Sequence, residues 1–159
     1  MRRLIAPVLV LALASAAFAR PAAFRWPPWL SIESPVNPFD RDNSGALMLV
    51  HAETREGPSK LADLTATAQG LVGGVRRSMP VRLDATTRPG TFAVRKQWPS
   101  DGTWLVQITL YSTTALVVLD HDGNVASVRV PTELQKGNQI PRALAAKEID
   151  STLAAAARR

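Results

Sequence analysis

The stretch 103–111, Thr-Trp-Leu-Val-Gln-Ile-Thr-Leu-Tyr, constrains the fold more than any other part of the chain, because it alternates with a period of two. Trp104, Val106, Ile108 and Leu110 fall on one side of an extended backbone, and Thr103, Gln107 and Thr109 fall on the other. A β-strand places every second side chain on the same face, so the pattern predicts a sheet with one face in a core and one in water. Val81, Leu83 and Ala85 alternate with Arg82, Asp84 and Thr86 in the same way. Apolar runs recur at short spacing, and strands are expected at 29–33, 47–54, 61–70, 79–86, 91–98, 103–111, 115–120 and 124–130. Pro89-Gly90, Pro99-Ser100-Asp101-Gly102 and Asp122-Gly123 stand between them, the last suiting a tight hairpin turn that needs positive φ. Gly70, Gly73 and Gly74 read as a loop or bulge in the middle. Short strands punctuated this way predict an all-β sandwich or barrel over residues 29–135.

Beyond Pro131 the pattern changes. Gly137-Asn138 reads as a loop, Pro141 suits the first turn of a helix, and 142–159 is rich in alanine. Ala145, Ile149, Leu153 and Ala156 share a helical spacing, so residues 136–159 are expected to form a loop and a short, basic, amphipathic C-terminal helix. Its basic end would meet the negative end of the helix dipole. The sandwich is expected to close by Val130, with the helix adding little to its core.

The other end has the layout of a secretory leader. Arg2 and Arg3 precede an apolar run from Leu4 to Phe18, and Ala17-Phe18-Ala19 is a small-x-small cleavage site that would free Arg20. The run is shorter than the roughly 18–20 residues that span a bilayer core. Residues 1–19 are therefore expected to be a cleaved signal peptide, and residues 20–28 a proline-broken lead-in. No cysteine is present, so neither a lipid anchor at a cysteine nor a disulfide framework is available. The expected product is exported to the periplasm or the cell exterior, with no stable membrane anchor.

A formal charge of +6 suggests nucleic acid until its distribution is examined. Between Trp26 and Glu133 there are 10 basic residues against 11 acidic ones. The excess sits at the ends, in Arg2, Arg3, Arg20, Arg25, Lys136, Arg142, Lys147, Arg158 and Arg159. A nucleic-acid binder gathers its basic residues on a folded face. Nucleic acid is not expected as a partner.

Gly90-Thr91-Phe92-Ala93-Val94, followed by Gly102-Thr103-Trp104-Leu105-Val106-Gln107-Ile108, resembles the Gly-x-aromatic … Gly-x-Trp-x-hydrophobic hairpin of YtkA-like domains. Ala66-Thr67-Ala68 and Val81-Arg82-Leu83 fall where such domains place their middle strands, and the likeness covers about residues 45–112. These domains are similar to the FixH and CopC groups of exported bacterial proteins. The resemblance implies an immunoglobulin-like antiparallel β-sandwich of 7–8 strands, and copper as the ligand to consider.

Copper sites of that kind use histidine and sometimes methionine. His51, His121, Met48 and Met79 remain after cleavage, but they form no His-x-His or Met-x-x-Met pattern. His51 is expected on the polar face of its strand and His121 at a hairpin tip. Asp120-His121-Asp122-Gly123-Asn124 fails the register of a calcium loop, since Val125 would occupy the sixth place and Pro131 the twelfth. Residues 70–77 lack the glycine and lysine pattern of a phosphate loop, so Arg76 and Arg77 read as a solvated pair and the glycines as a flexible break. No nucleophile, base and orienting group stand in a recognisable pattern. Trp98 and Trp104 are expected as neighbours across the turn between them, and Trp26 and Trp29 as plugs pinning the first strand. No catalytic, cofactor-binding or metal-binding residue is assigned. The expectation is an exported, non-enzymatic binding or accessory module that engages a protein partner through loops and an exposed strand edge. The alternative is a periplasmic copper-binding, metallochaperone-like protein.

Overall fold

The structure, a computed structural model, describes residues 27–158. The expected leader, Trp26 and most of the lead-in lie outside the described residues.

Among the described residues, twelve short strands, one 3-10 turn at Leu61–Asp63 and one helix follow in chain order. The strands are β1 (Trp29–Glu33), β2 (Met48–Thr54), β3 (Gly57–Pro58), β4 (Leu64–Val72), β5 (Val75–Pro80) and β6 (Leu83–Ala85). They continue with β7 (Thr91–Val94), β8 (Thr103–Leu110), β9 (Thr113–Leu119), β10 (Val125–Arg129), β11 (Thr132–Gln135) and β12 (Asn138–Pro141). The helix α1 is Ala146–Ala156. One sheet runs β1-β2-β7-β6 with β3 added beside β2; the other runs β10-β9-β8-β4-β5. All pairings are antiparallel. Lettered in sequence, these are the A-B-E-D and G-F-C-C′ sheets of an immunoglobulin-like sandwich, with β10 extending the G edge.

Inward-facing side chains of both sheets fill one core. Leu30, Met48, Val50, Ala52, Leu83, Phe92 and Val94 meet Leu64, Ala66, Ala68, Trp104, Val106, Ile108, Leu110, Ala115 and Val117. The ring of Trp104 lies over Gly70, its register partner on β4, and its indole N–H donates to the Asp101 carbonyl at 2.9 Å. Trp98 is buried in the same cluster.

Several expectations change. The second face of β8 is not wholly wet: Thr103, Gln107 and Thr109 are half-buried, but Leu105 is fully buried against Leu116, Val118, Ile149 and Leu153, so α1 covers part of the outer face of the G-F-C-C′ sheet. Consequently β9 is buried along its whole length, on both faces. Gly73 and Gly74 form no flexible break. Both have positive φ (55° and 79°), and they make the two-residue turn of a tight β4–β5 hairpin. The expected strand 79–86 is two strands, because the chain leaves one sheet after Pro80 and enters the other at Leu83. Likewise 91–98 ends at Val94, and the next connection crosses to β8 in the opposite sheet, so the Gly90–Ile108 segment is not a hairpin. The expected loop at Gly137-Asn138 is the turn region of a separate β11–β12 hairpin, and Pro141 closes that hairpin instead of opening the helix. Trp29, 65% exposed, plugs nothing.

Candidate binding surface

The outer face of the G-F-C-C′ sheet is only partly roofed by α1, and the uncovered strip runs along β10. This strand ends the sheet; among the described residues no strand pairs with its outer edge. Its register with β9 shifts between Val125 and Ser127 and is regular from Ser127 to Arg129. Ser127 pairs with Val118 and Arg129 with Leu116, so these two side chains share the helix side of the sheet. Val128 points to the other side and is 40% exposed.

Two neighbouring cavities form a furrow between β10 and the helix. One, of about 290 Å³, is lined by Val118, Ser127, Arg129, Thr152, Ala155 and Ala156, among others. The second, of about 510 Å³, has an apolar floor of Leu116, Val130, Pro131 and Leu144 and a polar rim that includes Arg129, Arg142 and Glu148. Arg129 lines both cavities.

Most polar groups of the rim satisfy each other. The Arg142 guanidinium donates in bidentate fashion to Glu148, at 2.7 and 2.6 Å, and the Ala145 N–H donates to the same carboxylate at 3.0 Å. That last bond caps the first turn of α1. With the Arg142 bonds as the largest cause and the Ala145 bond next, the Glu148 carboxyl is pulled down to about 2. Ser151 and Thr152 donate their hydroxyls back to the Glu148 carbonyl at 3.0 and 2.7 Å. Arg129 differs. Among the described residues it makes no salt bridge and no side-chain hydrogen bond, although it is close enough to Glu148 to add to that depression.

The opposite end of the sheet is arranged otherwise. Arg76 on β5 is bound to Asp150 of α1 and to Gln69, which ties that strand to the helix. Arg76 and Arg77 are both exposed, as expected of a solvated pair, and Arg76 in addition reaches the helix.

No family model, curated protein or solved structure matches the chain. Its functional surfaces therefore rest on its own geometry.

The fold sets His51 and His121 on different sheets and turns both methionines toward the core. Met48 lies fully buried in the core, and Met79 is packed against it. His51 stands on the outer face of the A-B-E-D sheet, with Nε2 3.0 Å from Glu33 and Nδ1 3.2 Å from the Thr91 hydroxyl. His121 is on the other sheet's β9–β10 turn, exposed and 3.2 Å from Asp122. The Glu33–His51–Thr91 row has the members of a proton relay, but the Thr91 residue is only 3% exposed, which closes its hydroxyl to substrate. Asp120–Asn124 is the hairpin turn expected of it: the Asn124 N–H donates to the Asp120 carboxylate at 2.8 Å.

A second calcium-like spacing stands in the β1–β2 connection. Asp40-x-Asp42-x-Ser44-Gly45 opens as a calcium loop does, and Gly45 has the left-handed φ, 75°, required at the sixth place. The Asp40 carboxylate, however, is engaged by Asn43, through Nδ2 at 2.7 Å and the backbone N–H at 3.3 Å, and the Nδ2 bond chiefly lowers its pKa. His51 occupies the twelfth place, where glutamate would complete such a loop. Among the described residues no three His, Asp or Glu side chains converge as a metal site demands. The visible work of the segment is to hold the β1–β2 connection, with Asn43 buried beneath it.

Proposed function

We propose that this chain is an exported, non-enzymatic immunoglobulin-like module that binds a protein partner along the free edge of β10. The observation that carries the reading is the coincidence of an unpaired strand edge with an open furrow on the same strip of surface. An edge strand offers a row of backbone donors and acceptors, which proteins blunt or use. β5 also ends this sheet, but the cavities beside the helix open along β10, whose register shift is confined to Ala126. Export is supported by Arg2-Arg3, the apolar run 4–18 and Ala17-Phe18-Ala19. The copper reading draws no support from the geometry, since both nitrogens of His51 are engaged and His121 stands on another sheet.

The test is position-dependent photo-crosslinking in the producing cells, with the full chain carrying its own leader. A crosslinking residue at Val128 should yield one discrete adduct that the same residue at Glu56 or Arg77 does not. Equal labelling at all three positions, or none at Val128, would sink the proposal. The secreted product should begin at Arg20 on N-terminal sequencing, and an intact Met1 would remove the export part.

A further inference from the structure

Resting on that reading of the β10 edge, we infer that the partner presents an extended acidic segment, which adds to β10 as an antiparallel strand and sets a carboxylate against Arg129. Three observations converge on this occupant. The stretch Ser127–Arg129 is in regular register with β9, so its outward backbone groups repeat with the spacing that an incoming strand matches. In strand addition of this kind, main-chain hydrogen bonds supply affinity, and pockets for alternate side chains supply specificity. The two cavities, flanking Arg129 on the helix side, are placed to receive such alternate side chains. Between them stands a guanidinium that no carboxylate binds directly: Arg142 is spent on Glu148, while Arg129, though within electrostatic reach of Glu148, makes no salt bridge or side-chain hydrogen bond among the described residues. An opposite charge directly across an antiparallel pair is favourable, and a like charge is not.

The segment is thus defined by its chemistry. A carboxylate side chain faces Arg129, and residues two before and two after it carry small apolar side chains. Their tips enter the cavities floored by Val118, Ala155 and Ala156 on one side and Leu116, Val130 and Leu144 on the other. Residues at the intervening positions cover Val128, which is left 40% exposed on the far side of the strand.

The probe is a fluorescein-labelled heptapeptide, Thr-Val-Thr-Glu-Thr-Val-Thr, titrated with residues 20–159 in fluorescence anisotropy. Its twin carries lysine in place of the glutamate. The Glu peptide should bind on the order of tenfold tighter than the Lys peptide, with the difference shrinking in high salt. Arg129→Glu should invert the preference, and Arg129→Lys should retain it. Two N-methylated Glu peptides test the edge itself, one methylated at residues two, four and six and the other at three and five. Backbone amides alternate toward and away from the partner strand, so one isomer should lose binding and the other keep it. Equal binding of the Glu and Lys peptides overturns the acidic segment, and indifference to both methylation patterns overturns strand addition. A concentration-dependent dimer that the Glu peptide does not dissociate would assign the edge to a second copy of the chain. If Val128 crosslinks discretely in cells while the peptides fail to discriminate, the binding edge stands and the acidic partner falls.

Discussion

Gly70 and Trp104 meet where strand C passes under an aromatic ring, and a missing methyl group sets how closely they pack. A Cβ on Gly70 would lie 2.5 Å from the Trp104 ring, too close for any carbon, and the ring is buried with little room to retreat. Gly70→Ala should therefore cost ~1–3 kcal/mol of stability, as overpacking does. A urea midpoint unchanged from wild type would show that the ring moves freely. Glu148 gives a second test at this scale. Its carboxyl is held at about 2 in the fold, below an unfolded value near 4.5, so its contribution is present in full above pH 4.5. It fades as pH falls from there toward 2, because protonation then breaks the bonds from Arg142 and Ala145. Glu148→Gln should flatten that part of the stability–pH profile, which denaturant melts from pH 2 to 6 would record. Single residues are legible in the sequence where a pattern surrounds them: Trp104 and Ile108 face the core, as the alternation in 103–111 requires. Leu105 is not. Set among threonines and a glutamine, it reads as one apolar residue on a wet face, and only the helix that covers it reveals its role.

The elements show the same division between local and distant information. The β8, β9 and β10 strands and the Asp122-Gly123 turn follow from neighbours in sequence. The Gly73-Gly74 turn is just as local, but two glycines in series suit flexibility and a tight turn equally well until the flanking strands are paired. What the run 79–86 does not encode is where it changes sheet: β5 pairs back with β4 and β6 pairs forward with β7, and only those pairings mark the switch. The C-terminal helix is the clearest case. Its few large apolar residues suggest little burial, yet Ile149 and Leu153 are 7% and 2% exposed and close a second apolar cluster. Leu153→Ala should accordingly cost ~2–5 kcal/mol, the range for truncating a buried leucine. A loss below about 1 kcal/mol would return α1 to the role of an appendage.

At the scale of the whole molecule, the two apolar clusters lie back to back on the same strands, β8 and β9. Loss of either should undo the other, so tryptophan fluorescence, dominated in its change by the buried Trp98 and Trp104 of the first cluster, and far-ultraviolet helix signal, reporting α1 on the second, should give coincident urea transitions. An earlier loss of helix signal would separate the layers. The furrow beside β10 is not legible in the sequence, which offers only the expectation of an exposed strand edge; the furrow itself depends on β10 ending the sheet and on where α1 lies across it. The double burial of β9 also has a consequence in time. Every strand of the G-F-C-C′ sheet precedes α1 in the chain, so during synthesis the sheet has a bare greasy flank until residues 149 and 153 have emerged. The strands accumulate first, and the last cover comes from the helix. A nascent chain stalled before residue 149 would offer that flank to a chaperone, and completing the helix would withdraw it.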